Sequence, residues 1–211
     1  MRKQRPKHSL LYSIIMNLYL GQSGLTGNIY IGNDLVSKIY LGDNIVYPNA
    51  NVCTNGLEGI RYIGYFNDDT SWFNTATQQG DTVCSSSIDN FSSSPDFAQE
   101  EEYSWQWAGY FRANSTETYT FYTYSDDASY LWLGLPAAIN YTIETSLVNN
   151  GGLHGGQEAS GSIALTSGEY YPIRIQYGEN TGGDIMTVSF STDTISKTTD
   201  GNGYYYNSIP S

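Results

Sequence analysis

Apolar and aromatic residues recur at every second position in short runs along most of this chain, and turn residues break the runs at near-regular spacing. A period of two is the pattern of strands with one face buried. Tyr103, Trp105 and Trp107 share a face of one run, Tyr119, Phe121 and Thr123 of the next, and Tyr130, Trp132 and Gly134 of a third. Ile173, Ile175 and Tyr177 alternate with Arg174 and Gln176, and Met186, Val188 and Phe190 with Thr187 and Ser189. Gly56–Phe66 predicts a further strand, followed by a turn at Asn67–Thr70. Pro172 lacks an N–H, which places it at a strand start or edge. The strand ending at Ser191 is expected to pair with the one before it, across the Gly178–Asp184 loop. Two polar stretches predict long loops, 74–102 and 137–162, the second with Asn149–Gly156 as its tip. Its lone histidine, His154, is expected to face solvent. Tryptophans in such alternating runs predict core rather than a ligand platform. The fold class is therefore all-β, an antiparallel sandwich or barrel.

A different period governs the amino end. Asn17–Gln22, Asn28–Asn33 and Lys38–Asp43 are near copies, each with three alternating apolar positions followed by glycine and a polar residue. They predict a small meander over 16–47, one strand per copy, near the lower limit of independent stability and so leaning on a neighbour. Residues 1–20 have a basic start and an apolar stretch but no small-x-small cleavage site, and the stretch is too short and polar to span a bilayer. Met16 precedes the first copy directly; residues 1–15 are expected to be a disordered tail or a mis-assigned start. Pro48-Asn-Ala-Asn-Val52 marks a linker over 48–54, leaving 55–211 as the main domain.

Composition narrows the partners. The net charge is −12, and four of the nine basic residues lie in the first seven positions, so the rest carries five basic against twenty-one acidic groups. Such a body repels phosphate backbones and anionic membranes, which argues against nucleic-acid binding. Acidity suits cation capture as well as plain solubility. The two cysteines, Cys53 and Cys84, are either a disulfide or two thiols, and no second pair or histidine cluster supplies a zinc set. The sequons at Asn90, Asn114 and Asn140 are no more than chance provides in so Asn- and Ser-rich a chain.

Few residues offer chemistry. Glu100-Glu-Glu102 reads as a solvated charge run, since nothing near it suggests a nucleophile or an oxyanion hole. Asp126 and Asp127 lie side by side between two strand-like runs. In a regular strand their side chains would point to opposite faces. The pair is either an ordinary Asx-type turn or, with unusual backbone between them, a metal clamp.

Trp105-Gln-Trp-Ala-Gly-Tyr-Phe111, the run from Tyr119 through Ser125-Asp-Asp-Ala128 to Gly134, and Ser167-Gly-Glu-Tyr-Tyr-Pro-Ile-Arg174 with the Gly178–Asp184 loop occur in that order. Together they resemble the protective-antigen-type (PA-fourteen) domain, most closely its GLEYA and flocculin adhesin branch, over roughly 55–192. The resemblance implies a β-sandwich with a calcium (Ca2+) site in a shallow surface pocket. It implies that Asp126 and Asp127 are joined by a cis peptide and bind the ion. A second loop then supplies one side chain, here either Glu179 or its neighbour Asn180, and carbonyls from Thr181, Gly182 and Gly183. Sugar hydroxyls would take the remaining positions, with Asp126, Asp127, Asn180 and Gly182 around the carbohydrate. The family's aromatic residue in that loop is absent here.

The expected function is a calcium-dependent carbohydrate-binding adhesin module without catalysis, with glycans as partners. The amino-terminal copies are similar to short β modules of phage structural and tail proteins. They suggest attachment to virion or appendage subunits through 16–47, and display on a virion surface or otherwise outside the cell. The alternative is a non-catalytic structural or assembly domain that has lost ligand binding. A glycoside hydrolase would need two opposed carboxylates across a cleft, which no motif suggests.

Overall fold

The computed structural model describes residues 55–89 and 101–210, together with the backbone of four short strands between 30 and 47. The chain divides into two units after Val52. In the first unit, β1 (Tyr30–Ile31) pairs antiparallel with β2 (Asp34–Leu35), and β3 (Ile39–Leu41) with β4 (Asn44–Tyr47). The second and third sequence copies thus each open a hairpin, where one strand per copy was expected. The first copy, the expected tail over 1–15, the linker and Cys53 lie outside the described residues.

The second unit is a sandwich of two antiparallel sheets. The larger runs β10 (Val148–Asn150), β9 (Ser129–Leu133), β12 (Tyr170–Glu179), β7 (Tyr103–Arg112), β5 (Leu57–Ile63), β6 (Gln78–Ser85), and β14 (Tyr205–Tyr206) extends β7 beyond the end of β5. The smaller runs β11 (Gln157–Leu165), β8 (Glu117–Asp126), β13 (Ile185–Ser191). Between them lie the alternating residues that the sequence singles out. Trp105, Trp107, Ile175 and Tyr177 from the large sheet meet Tyr119, Phe121, Val188 and Phe190 from the small one, all buried. Trp105 and Trp107 stack with ring centroids 5.3 Å apart.

The other face of the large sheet is covered too. Phe66, Phe73, Tyr130, Trp132 and Ala137 form a second buried cluster, built from the 64–77 segment and the short helix α1 (Leu135–Ile139). All five residues of β9 are therefore buried. No helix among the described residues is long and apolar enough to cross a membrane.

Three expectations change. β13 pairs with β8 in the small sheet, not with β12. Its Met186, Val188 and Phe190 fill the core from the side opposite Ile175 and Tyr177, so the 180–184 loop crosses between layers. The polar stretch 74–102 contains β6, and 137–162 contains the end of α1, all of β10 and most of β11. β6 and β11 are sheet-edge strands with solvated faces, so their sequence carries little apolar signal. Cys84 is disulfide-bonded, and the chain has one other cysteine, Cys53.

Candidate functional site

Three segments cross from one sheet to the other at the same end of the sandwich. β8 leads into β9 through Asp126–Ser129, β10 into β11 through 151–156, and β12 into β13 through 180–184. Strand register brings them together, because Asp126 lies opposite Ile185 and Ser129 lies opposite both Tyr177 and Asn150. Beneath the crossings, the Ser125 and Ser129 hydroxyls lie 2.7 Å apart and the buried Asn150 side chain donates to Ser125 Oγ at 2.9 Å. This network fixes the end of β8 against the starts and ends of its neighbours.

The Asp126–Asp127 peptide is cis. Alternation along β12 turns Glu179 to the same side as Tyr177, into the mouth between the sheets, where Glu179 is fully buried. Asp126, Asp127 and Glu179 each present a carboxylate oxygen, and these atoms lie within 4.8 Å of one another. Asn180, the other candidate, contributes its backbone N–H, which donates to Asp127 Oδ2 at 3.1 Å, while its carbonyl accepts from the Glu102 N–H at 3.0 Å. Thr181, Gly182 and Gly183 are exposed in the loop beside the cluster. Gly183 lies against Asp126; a Cβ there would sit 2.9 Å from Asp126 Oδ2.

Electrostatics follow from this crowding. Burial, then the charges of Asp127, Asp184, Asp126 and Glu101, push the Glu179 carboxyl up to about 8. Burial, then Asp127, also raises Asp126. Tyr177 donates its hydroxyl proton to the Asp126 carbonyl at 2.8 Å, and Glu179 Oε1 is buried without a hydrogen-bond partner. A buried carboxylate oxygen with no donor, beside two further carboxylates, is costly unless a cation meets it. The donor set is all oxygen, which fits a hard divalent ion such as calcium rather than zinc or copper. Asp126, Asp127 and Glu179 are the side chains that would hold it.

Sequence reasoning missed several contributors. His154 is only half-exposed, and its backbone N–H donates to Asp127 Oδ1 at 2.9 Å. Its ring nitrogens lie 3.1 Å from the Asn150 carbonyl and 2.9 Å from that of Gly155. A main-chain donor leaves no mark in residue type. Glu101, within the apparent charge run, accepts the Gly182 N–H at 2.9 Å and so braces the 180–184 loop. Burial, then the charges of Asp68, Asp127 and Glu179, raise the Tyr65 phenol above its ordinary value.

Residues 103–192 match the GLEYA domain family. The sandwich has a PA14/GLEYA-like fold. Solved structures share the fold at low identity. The A domain of epithelial adhesin 6 from Candida glabrata, solved in complex with Galβ1-3GlcNAc, is 17% identical with a TM-score of 0.57, covering 76% of this chain and 90% of that one. The PA14 sugar-binding domain from an RTX adhesin is 14% identical with a TM-score of 0.57, covering 73% and 99%. An anti-sigma factor domain-containing protein is 24% identical with a TM-score of 0.59, covering 74% of this chain. The match spans about half of that protein, 49% of its length. No curated protein is significantly similar in sequence.

One substitution tests the fit of the 180–184 loop to the pair. Gly183→Ala is expected to weaken calcium binding roughly tenfold, because its methyl displaces Asp126 Oδ2. Calorimetric titration of the metal-stripped variant reads this directly, with unchanged affinity as the contrary result.

Proposed function

We propose that this domain binds carbohydrate in a calcium-dependent manner, as a non-catalytic adhesin module. The observation that carries the reading is the convergence of Asp126, Asp127 and the orphaned Glu179 oxygen where two sheet-crossing segments meet. These side chains leave part of calcium's six to eight oxygen positions open. A vicinal diol of a sugar can replace two waters there without disturbing the carboxylates that balance the ion's charge. The Candida glabrata adhesin bound to Galβ1-3GlcNAc and the RTX adhesin's sugar-binding domain, which share the fold, support the same reading.

A site this open binds weakly per copy, so useful avidity needs many copies. The paired short strands of the first unit suit attachment to a larger assembly. We place the domain on a virion or cell surface, with residues 16–47 as its mount and glycans outside the cell as its targets.

Calcium titration, followed by a glycan array with and without chelator, tests the proposal. Saturating calcium is expected to stabilise the metal-stripped protein. At a hundredfold excess over Kd the gain is about 2.7 kcal/mol, or roughly 5–10 °C in Tm for a domain of this size. Absence of calcium binding, or a glycan signal indifferent to chelator, overturns the reading. Calcium binding without any glycan signal leaves a structural or assembly role for the same fold.

A further inference from the structure

We propose that a groove on the outer face of the small sheet is a second sugar subsite, so that the domain takes an oligosaccharide with one unit on the cation and the next packed on Tyr124. This rests on the reading of the carboxylate end as a glycan site. Along β8, Tyr119, Phe121 and Thr123 fill the core, and alternation turns Tyr122 and Tyr124 outward. Tyr124 is 38% exposed and forms one wall of an open groove of about 500 Å3.

The groove's chemistry points to the ligand class. Glu158 on β11 and Thr187 on β13 lie opposite Tyr124 on its two sides. Ser189, 4% exposed, lies at the base, and Thr198 lines the edge. Thr198 belongs to the segment after β13 and pairs with Phe190 through two backbone hydrogen bonds of 3.0 Å. From the same segment, the Lys197 ammonium reaches back across the sheet, 4.1 Å from the centre of the Tyr122 ring, to pair with Glu158. One carboxylate and one ammonium leave the groove without net charge, so it offers an ion little. Its hydroxyls, carboxylate and ammonium present acceptors and donors side by side, which suits a neutral ligand whose hydroxyls do both. The Tyr124 ring suits an apolar C–H face. A pyranose carries both surfaces.

The groove adjoins the carboxylates. Asp126 follows Tyr124 by two residues on the same strand, about 7 Å along it. The 151–156 crossing touches both places. Its His154 N–H donates to Asp127 Oδ1 at 2.9 Å. Its Gly156 packs against Tyr124 and against Ile185, the residue opposite Asp126: a Cβ there would lie 2.6 Å from the Tyr124 hydroxyl and 3.2 Å from Ile185 Cδ1. Lys197 crosses at Tyr122, beyond Tyr124 as seen from the acids, and bounds the groove at that end. The span between Asp126 and that arm fits one further sugar rather than a long chain.

The test compares wild type, Tyr124→Leu, Tyr124→Phe and Glu158→Gln. The probes are Galβ1-3GlcNAc with methyl β-galactoside, and the array's strongest chelator-sensitive oligosaccharide with the methyl glycoside of its terminal unit. Calorimetry reads calcium affinity, and saturation-transfer NMR with calcium reads each sugar. Wild type is expected to bind an oligosaccharide at least about tenfold more tightly than its terminal unit, with saturation reaching both units. Tyr124→Leu is expected to keep calcium and terminal-unit affinity within about twofold and to lose the oligosaccharide's advantage. Tyr124→Phe keeps it. Glu158→Gln keeps the shape but breaks the charged pair; it loses part of the advantage, and it decides the matter should the leucine variant fail to fold. An oligosaccharide bound no better than its terminal unit, or an advantage that survives these two substitutions, overturns the subsite and leaves the cation site standing. Calcium affinity that falls in step with the sugar also overturns it. A wild-type protein that binds no glycan overturns the functional reading instead.

Discussion

Asp127→Asn is expected to abolish calcium binding, by a hundredfold or more in affinity, and to loosen two loops while the sandwich stays folded. The carboxylate does two jobs. It is one of three acids presenting oxygens within 4.8 Å of one another, and its oxygens accept main-chain N–H groups from His154 at 2.9 Å and Asn180 at 3.1 Å. An amide keeps the shape but removes the charge, and its NH2 group must face one of those donors. A lost charge-assisted bond of this kind costs about 1.5–3 kcal/mol. Hydrogen exchange should therefore speed up over 151–156 and 180–184. Asp126→Asn provides the contrast for the 180–184 loop: it removes a carboxylate from the same cluster without touching the Asn180 bond, so calcium affinity falls while that loop keeps its protection; its own main-chain partner is Gly156. An Asp127→Asn protein that binds calcium within threefold of wild type would contradict the proposed site.

The second large effect is on pH. Glu179 is held near 8 in the folded protein, against about 4.3 for a carboxyl in an unfolded chain. Between those values the folded state keeps a proton that the unfolded state gives up. The stability this contributes is complete at low pH and is lost as pH rises through about 8, the reverse of a salt-bridged acid. Asp126 is shifted in the same direction. Metal-stripped protein should thus lose stability from pH 5 to pH 9, and calcium should remove most of that slope. Because the ion needs the ionised carboxylate, its binding at pH 7 should release close to one proton, and affinity should rise about tenfold per unit below pH 8. Calorimetry in two buffers of different ionisation enthalpy counts that proton. Glu179→Gln should flatten the profile of the stripped protein and weaken the ion site. If no proton is released, Glu179 is not a ligand.

The core was largely legible from period two, because Trp105, Trp107, Tyr119, Phe121 and Phe190 lie in strands with one plainly apolar face. Alternation also accounts for Glu179, which follows Tyr177 onto the inward face, and the structure brings its carboxylate, rather than only Asn180's neighbouring backbone, to the aspartates. What stayed hidden has physical causes. A short loop after Tyr177 suits a hairpin and a layer crossing equally, so the partner of β13 could not be read locally. β11 exposes alternate residues at a sheet edge and resembles a loop in composition. His154 acts through its backbone, so it forms no motif with the acids.

The three crossings have a mechanical consequence. Asp126 ends a strand of the small sheet, and Glu179 ends a strand of the large one. A cation gripped by both would be a rivet between the layers. Tension on a tethered domain would then be opposed at the same point that holds the ligand.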